Sequence, residues 1–305
     1  MLEIYVNDET SKLQAVILGT AKGFGGVPKL EEAYDPKSIE HIKNGTYPQE
    51  ADVQAEMEAF ATVLKKYGVE VYRPEVIEDY NQVFSRDIGF VIEDKFIRPR
   101  ILKNRKEEIR GIQYVLNKIN PEQQLEVPEG GRVEGGDVMP WKDHLFVGYS
   151  KTEDFEEYIV ARTNEEGVSF LKESFPNKTV KAFELKKSDT DPKENALHLD
   201  CCFQPIGENK AIIYKGGFKN EEDYQFLVDF FGEENIIEIT KDEMYRMNSN
   251  VFSISKQVIV SEQSFTRLNA ELEKHGFTVE KIPYSETSKM EGLLRCSTLP
   301  LRREK

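Results

Sequence analysis

Residues 198–239 read HLDCCFQPIGENKAIIYKGGFKNEEDYQFLVDFFGEENIIEI and contain one complete copy of the unit from which the fold is built. Apolar residues crowd two short runs, His198–Pro205 and Ala211–Tyr214. They then recur at helical spacing near Glu221 to Phe231, before a third short run at Ile236–Ile239. Short β-branched and aromatic runs bounded by turn residues read as strands, and spacing by three and four reads as helix. The order is therefore strand, strand, helix, strand.

The same order returns on either side of this stretch. Downstream come Val251–Ile254, Gln257–Val260, a helix near Phe265 to His275 and Val279–Ile282. Upstream, Ile88–Ile92 and Lys95–Ile97 form a hairpin around Glu93-Asp94, followed by a helix from Arg105 to Ile119 and a strand near Leu125. Asp137–Pro140 and His144–Val147 pair next, ahead of a helix near Asn164 to Phe175 and a strand at Thr179–Phe183. Nearest the N-terminus, strand Leu13–Gly19 precedes a helix from Gln49 to Tyr67, stopped by Gly68, and strand Val69–Tyr72. Element order repeats roughly every 50–60 residues without a residue-level repeat, as radial or stacked α/β architectures do. No Pro/Gly/Ser-rich linker divides the chain, so residues 1–305 are expected to form one domain.

Composition narrows the functional classes. The formal charge of −14 argues against nucleic acid, which selects basic patches, and suits a cationic small molecule. No apolar run is long enough to cross a membrane, and the N-terminus has no basic-then-apolar leader. Three cysteines, two of them adjacent, make no disulfide framework, so a cytoplasmic location is expected.

Four segments carry polar residues where a core would not place them. Asn81-Gln82-Val83-Phe84-Ser85-Arg86-Asp87 leads into a buried strand, where an unpaired Asp is costly. Glu134-Gly135-Gly136-Asp137 sets glycines beside carboxylates, which lets the backbone approach a ligand; it lacks the spacing of a phosphate loop. Leu197-His198-Leu199-Asp200-Cys201-Cys202, read as a strand, points His198 and Asp200 to one face, with Cys202 beside them and structural. Gly292-Leu293-Leu294-Arg295-Cys296 puts a thiol next to Arg295 with Arg302 and Arg303 close behind, company that favours thiolate. Each segment alone also fits a capped turn, a solvated loop or a packed strand. Together they offer a thiol, a histidine and the carboxylates Asp87, Glu134 and Asp200, which suit covalent attack on a planar cation such as a guanidinium. Zinc is a weaker alternative, because no second His or Cys stands at ligand spacing.

On these motifs the chain resembles the guanidino-group-modifying enzymes, the pentein superfamily of arginine deiminases, dimethylarginine dimethylaminohydrolases and amidinotransferases. Gly292–Cys296 is similar to the dimethylarginine hydrolases, and Arg295-Cys296 with Pro300–Glu304 to the arginine deiminases. The resemblance implies a five-bladed, pseudo-symmetric α/β propeller of ββαβ units with a central site. It implies Cys296 as nucleophile, His198 as general acid then base, and Glu134, Asp87 and Asp200 as ligands of the guanidinium nitrogens. It further implies that Arg98 and Arg162 hold a substrate carboxylate, with no cofactor and no metal. Two departures stand out. Asn81 replaces an acid found in many of the hydrolases, and an acidic insertion, Thr152 to Tyr158, separates Gly148-Tyr149-Ser150 from Arg162-Thr163 and could form a lid. The expected activity is hydrolysis of a guanidinium C–N bond of arginine or a close relative through an amidino-thioether, giving a ureido product such as citrulline. The runner-up is amidino transfer to an amine, and a catalytically idle binding protein is a lesser alternative. The expected partner is a small guanidino substrate, with a homodimer left open.

Overall fold

The structure, a computed structural model, describes residues 1–305. Fifteen strands are present: β1 (Leu13–Leu18), β2 (Glu70–Tyr72), β3 (Phe90–Ile92), β4 (Lys95–Arg98), β5 (Gln124–Glu126), β6 (Val138–Trp141), β7 (His144–Tyr149), β8 (Thr179–Glu184), β9 (Phe203–Ile206), β10 (Lys210–Ile213), β11 (Ile236–Glu238), β12 (Phe252–Ser253), β13 (Val258–Glu262), β14 (Thr278–Ile282) and β15 (Thr298–Arg303). They form five three-stranded sheets, β3-β4-β5, β6-β7-β8, β9-β10-β11, β12-β13-β14 and β15-β1-β2. In each, the middle strand runs antiparallel to one neighbour and parallel to the strand that follows the helical connection. A parallel return needs such a crossover, which is why every unit carries a helical connection between its second and third strands.

The fifth sheet joins the two ends of the chain: Leu18 pairs with Thr298 and Val16 with Pro300. The pairing of that closing strand with β1 is not foreseen in the sequence, because the two lie almost the whole chain apart. Strand β1 is buried nearly throughout, as a strand covered on both faces must be, and it reads as a continuous apolar run. The helix Glu50–Lys66 turns Val53, Met57, Phe60, Ala61 and Leu64 inward at three- and four-residue spacing. Phe60 meets Phe252 and Tyr284 edge-to-face, with ring centres 5.7 and 5.8 Å away. Gly68 ends the connection at φ +74°, a conformation that glycine adopts without strain.

Three sequence expectations are corrected. The helix from Arg105 to Ile119 is broken into 3-10 turns, Lys103–Arg105 and Glu108–Ile112, and a single α-turn, Gln113–Leu116. Arg105 and Glu108 turn inward as a buried ion pair. Gly111 is pressed against Glu75 and Gln82, where an added Cβ would lie 2.8 Å from the Glu75 carbonyl and 2.3 Å from Gln82 Nε2. His198 is not on a strand either: Leu199–Cys201 is a 3-10 turn, and β9 begins at Phe203. The Leu199 N–H donates to Asp137 Oδ1 at 2.9 Å, which pulls the chain out of extended geometry. The acidic insertion forms a short helix, Thr152–Glu157, tied outward by Asp154 to Lys219, and does not reach the central cavity.

Candidate active site

The segment before β15 sets the site. Ser297 N–H returns to the Leu293 carbonyl and Thr298 N–H to that of Arg295, so Cys296 sits on a tight turn at the mouth of the closing strand. The Asp87 segment is laced to this turn. Arg86 N–H donates to the Cys296 carbonyl at 3.0 Å, and Ser85 Oγ donates to that of Ser297 at 2.8 Å. Residues more than two hundred positions apart are thus held together by hydrogen bonds to the backbone of the turn.

A cavity of about 400 Å³, within the usual range for small-molecule sites, is lined by Cys296, His198, Asp87, Arg162 and Asn81. Five of the eight residues singled out in the sequence therefore share one space. His198 is buried, with Nε2 2.8 Å from Glu134 Oε2 and Nδ1 3.9 Å from Asp87 Oδ1. Burial alone would push the imidazole down; the charges of Asp87, Asp137 and Glu134 and the Glu134 hydrogen bond outweigh it and raise it to about 9. For Glu134, burial is likewise outweighed, by the Arg162 charge and the His198 contact, which hold it down to about 2. The pair rests as imidazolium and carboxylate. Gly136 makes this approach sterically possible, since a Cβ there would lie 2.6 Å from His198 Cγ.

The remaining residues fall in different places. Glu134 stands behind His198 and is not part of the cavity wall. Asp87 faces the cavity, accepting from Arg105 Nη1 at 2.7 Å and Gly136 N–H at 3.2 Å. Arg162 donates to the Tyr34 carbonyl at 3.0 Å and lies 3.8 Å from Glu134, while its Nε is buried without a partner. Asn81 accepts from Val83 N–H, which leaves its amide nitrogen beside Met290 on the cavity wall.

Asp200 is corrected: it shares no face with His198 and lies behind the thiol, 3.6 Å from Sγ, with Arg295 Nη1 at 2.9 Å. Arg98 is outside the site altogether, donating to Gln124 Oε1 on the surface. Arg105, seven positions further on, reaches the cavity alongside Arg162. The thiolate-favouring influence expected of Arg295 is present but outweighed. The Arg295 guanidinium turns away to Glu9 and Asp200, and Arg303 donates to the carbonyls of Ser11 and Ser253. Burial, then Asp200 and Asp87, push the Cys296 thiol well up, so it rests protonated.

Several residues at the site escape the sequence reading. Arg105 and Glu108 sit in a charge-rich stretch that reads as a solvated helix, yet they are buried against Asp87. Residues of the Phe24–Tyr47 segment, Tyr34 among them, cover the cavity in place of the acidic insertion. Asn250 contacts Sγ itself; its only signal is a polar Asn248-Ser249-Asn250 run ahead of a buried strand. Asp87, Glu134 and His198 bring possible ligand atoms within 4.8 Å of one another. Arg105 and Arg162 already supply positive charge to those carboxylates, so a metal ion would enter against two guanidinium groups.

The family model described as N,N dimethylarginine dimethylhydrolase, eukaryotic, matches residues 37–303. An uncharacterized protein of Bacillus subtilis, YkgA, is 32% identical over 79% of this chain and 77% of its own length. The N(G),N(G)-dimethylarginine dimethylaminohydrolase of Pseudomonas aeruginosa is 25% identical over 65% of this chain and 67% of its own. Among solved structures, SxtG, an amidinotransferase from Microseira wollei in the saxitoxin biosynthetic pathway, superposes with a TM-score of 0.79 at 17% identity, covering 99% of this chain and 98% of that one. With the Cys296–His198–Asp87 cavity and the match across residues 37–303, the chain belongs to the dimethylarginine dimethylhydrolase family of the guanidino-group-modifying, or pentein, superfamily.

Proposed function

We propose that this protein hydrolyses a guanidinium C–N bond of arginine or a close guanidino relative, with Cys296 as nucleophile. The observation that carries the reading is a thiol, a charged imidazole and a carboxylate facing one cavity of about 400 Å³. Asp87 accepts N–H bonds from the substrate guanidinium, and Glu134 holds His198 in its charged form. The entering cation lowers the cost of ionising Cys296, whose proton has Asp200 Oδ2 as its nearest acceptor. Sulfur then bonds to the guanidinium carbon. The C–N bond breaks as His198 gives its proton to the leaving amine or ammonia, which leaves an amidino-thioether. Neutral His198 next takes a proton from water, the water oxygen bonds to the carbon, and the C–S bond breaks to free the ureido product, which sheds its extra proton to solvent as sulfur recovers its own from Asp200.

Arg105 and Arg162 take the role expected of Arg98 and Arg162, and the unpartnered Arg162 Nε is a ready donor for an anionic tail. The five sheets form a propeller of five units, and residues 1–305 one catalytic domain; pairing of the first and last strands in one sheet supports both readings. Three free cysteines suit a reducing compartment, as the cytoplasmic expectation requires.

The test is turnover of arginine, methylated arginines, agmatine and citrulline, with ureido product and released amine or ammonia measured together. Stoichiometric ureido product without any acceptor is expected. Turnover that requires an added amine would replace hydrolysis by amidino transfer.

A further inference from the structure

Asn250 ends the turn ahead of β12 and is fully buried. Its side chain brackets the nucleophile. Oδ1 accepts the Cys296 N–H at 3.1 Å, and Nδ2 donates to Cys296 Sγ at 3.2 Å. The same Nδ2 also lies 3.4 Å from the Asp200 carbonyl. The Cys296 N–H fixes the orientation of the amide, because it needs an oxygen opposite it; the Asp200 carbonyl, which also accepts from Ser249 Oγ at 2.9 Å, then lies on the nitrogen side. The Asn250 carbonyl in turn accepts the Arg295 N–H at 3.3 Å. Backbone and side chain of Asn250 therefore both hold the Arg295-Cys296 turn.

The surroundings of Sγ give that contact its weight. Asp200 Oδ2 lies 3.6 Å away and accepts from the thiol. The neighbouring guanidinium of Arg295 is engaged by Glu9, Asp200 and the Val138 carbonyl. The Asn250 N–H is thus the side-chain donor directed at the sulfur, beside the Leu293 backbone, and a donor to the charged form of a group favours that form.

We propose that Asn250 is a catalytic residue of this enzyme, whose amide N–H holds Sγ in position and stabilises it as thiolate when the substrate cation enters. This rests on Cys296 being the nucleophile. In the resting protein the thiol hydrogen bond goes to Asp200; on ionisation the Asn250 N–H is the side-chain contact that remains and shortens. Asn250 completes the site without touching the substrate.

The experiment is alkylation of the full-length protein by iodoacetamide across a pH series, followed by mass spectrometry of the peptide containing Cys296, beside steady-state kinetics. For Asn250→Ala, the alkylation midpoint is expected to move up by about one pH unit, which is roughly tenfold slower modification at neutral pH. The kcat should fall by about tenfold or more with KM nearly unchanged, since the contact strengthens only as sulfur becomes charged. Asn250→Asp keeps an oxygen for the Cys296 N–H and removes the amide donor; it carries the comparison if the alanine variant does not unfold cooperatively on heating. A folded variant with the parent's alkylation profile and kcat would overturn the proposal. A parent protein alkylated at Cys296 without loss of turnover would instead overturn Cys296 as nucleophile.

Discussion

Cys202 and Cys296 are both buried thiols, and burial is the largest influence pushing each of them up. They differ in what lies against the sulfur. Cys202 belongs to an apolar cluster with Phe203, Phe218 and Leu227, and its Sγ donates only to the Leu199 carbonyl. Cys296 has an amide donor on one side, a carboxylate on another and a cavity in front. Burial by itself marks neither thiol as a nucleophile. The distinction lies in whether charge can be stabilised at the sulfur once a cation arrives.

The largest expected effect is loss of turnover. Cys296→Ser should lower kcat by ~10³-fold or more, while Cys202→Ala should leave kcat near the parent value and cost about 1 kcal/mol in urea unfolding. Equal activity losses in the two variants would erase the contrast. Next comes the imidazole. His198→Asn is expected to lower kcat by about 10²–10⁴-fold, with Glu134→Gln following it because it releases the imidazolium. A smaller effect is expected along the cavity wall: Arg105→Ala should raise KM for an arginine-like substrate by about tenfold or more, and Arg98→Ala should leave KM unchanged. Both are read from initial rates over a substrate series.

The smallest effect is on stability against pH. The folded His198 is raised from 6.5 to about 9, so its contribution is complete below 6.5 and is lost as pH rises through about 9. Glu134 is lowered from 4.5 to about 2, so its contribution is complete above 4.5 and is lost as pH falls through about 2. The ligand-free protein should therefore lose Tm between pH 6.5 and 9, and His198→Asn should flatten that slope. A parallel slope in the variant would show that the imidazolium is not held as described.

Much of the fold is legible in the sequence because each unit is made by local periodicity. The helix Glu221–Phe231 and the strands flanking it need only their own spacing to be read. The pairing of β15 with β1 is not legible, because the two lie almost the whole chain apart. The turn at Leu199–Cys201 is hidden for a similar reason: Asp137, sixty-two positions earlier in the chain, takes the Leu199 N–H. That one contact undoes the alternation argument that set His198 and Asp200 on a common face. At the site, Cys296, His198, Glu134 and Asp87 announce themselves as polar residues next to apolar runs or glycines. Arg105 and Asn250 do not, since a charged helix surface and a polar turn look the same whether or not they face a thiol. The sign of the Cys296 electrostatics was hidden as well: Arg295 is its neighbour in the chain, but Glu9 and Asp200 claim the guanidinium in space.

Covalent chemistry at Cys296 is tested most directly by acid-quenching the protein during turnover of an arginine-like substrate and locating any adduct by peptide mass spectrometry. An amidino adduct on the peptide carrying Cys296 is expected, absent from the peptide carrying Cys201 and Cys202, and longer-lived in a His198→Asn variant. Turnover with no adduct on Cys296 in either protein, and undiminished turnover by Cys296→Ser, would contradict it.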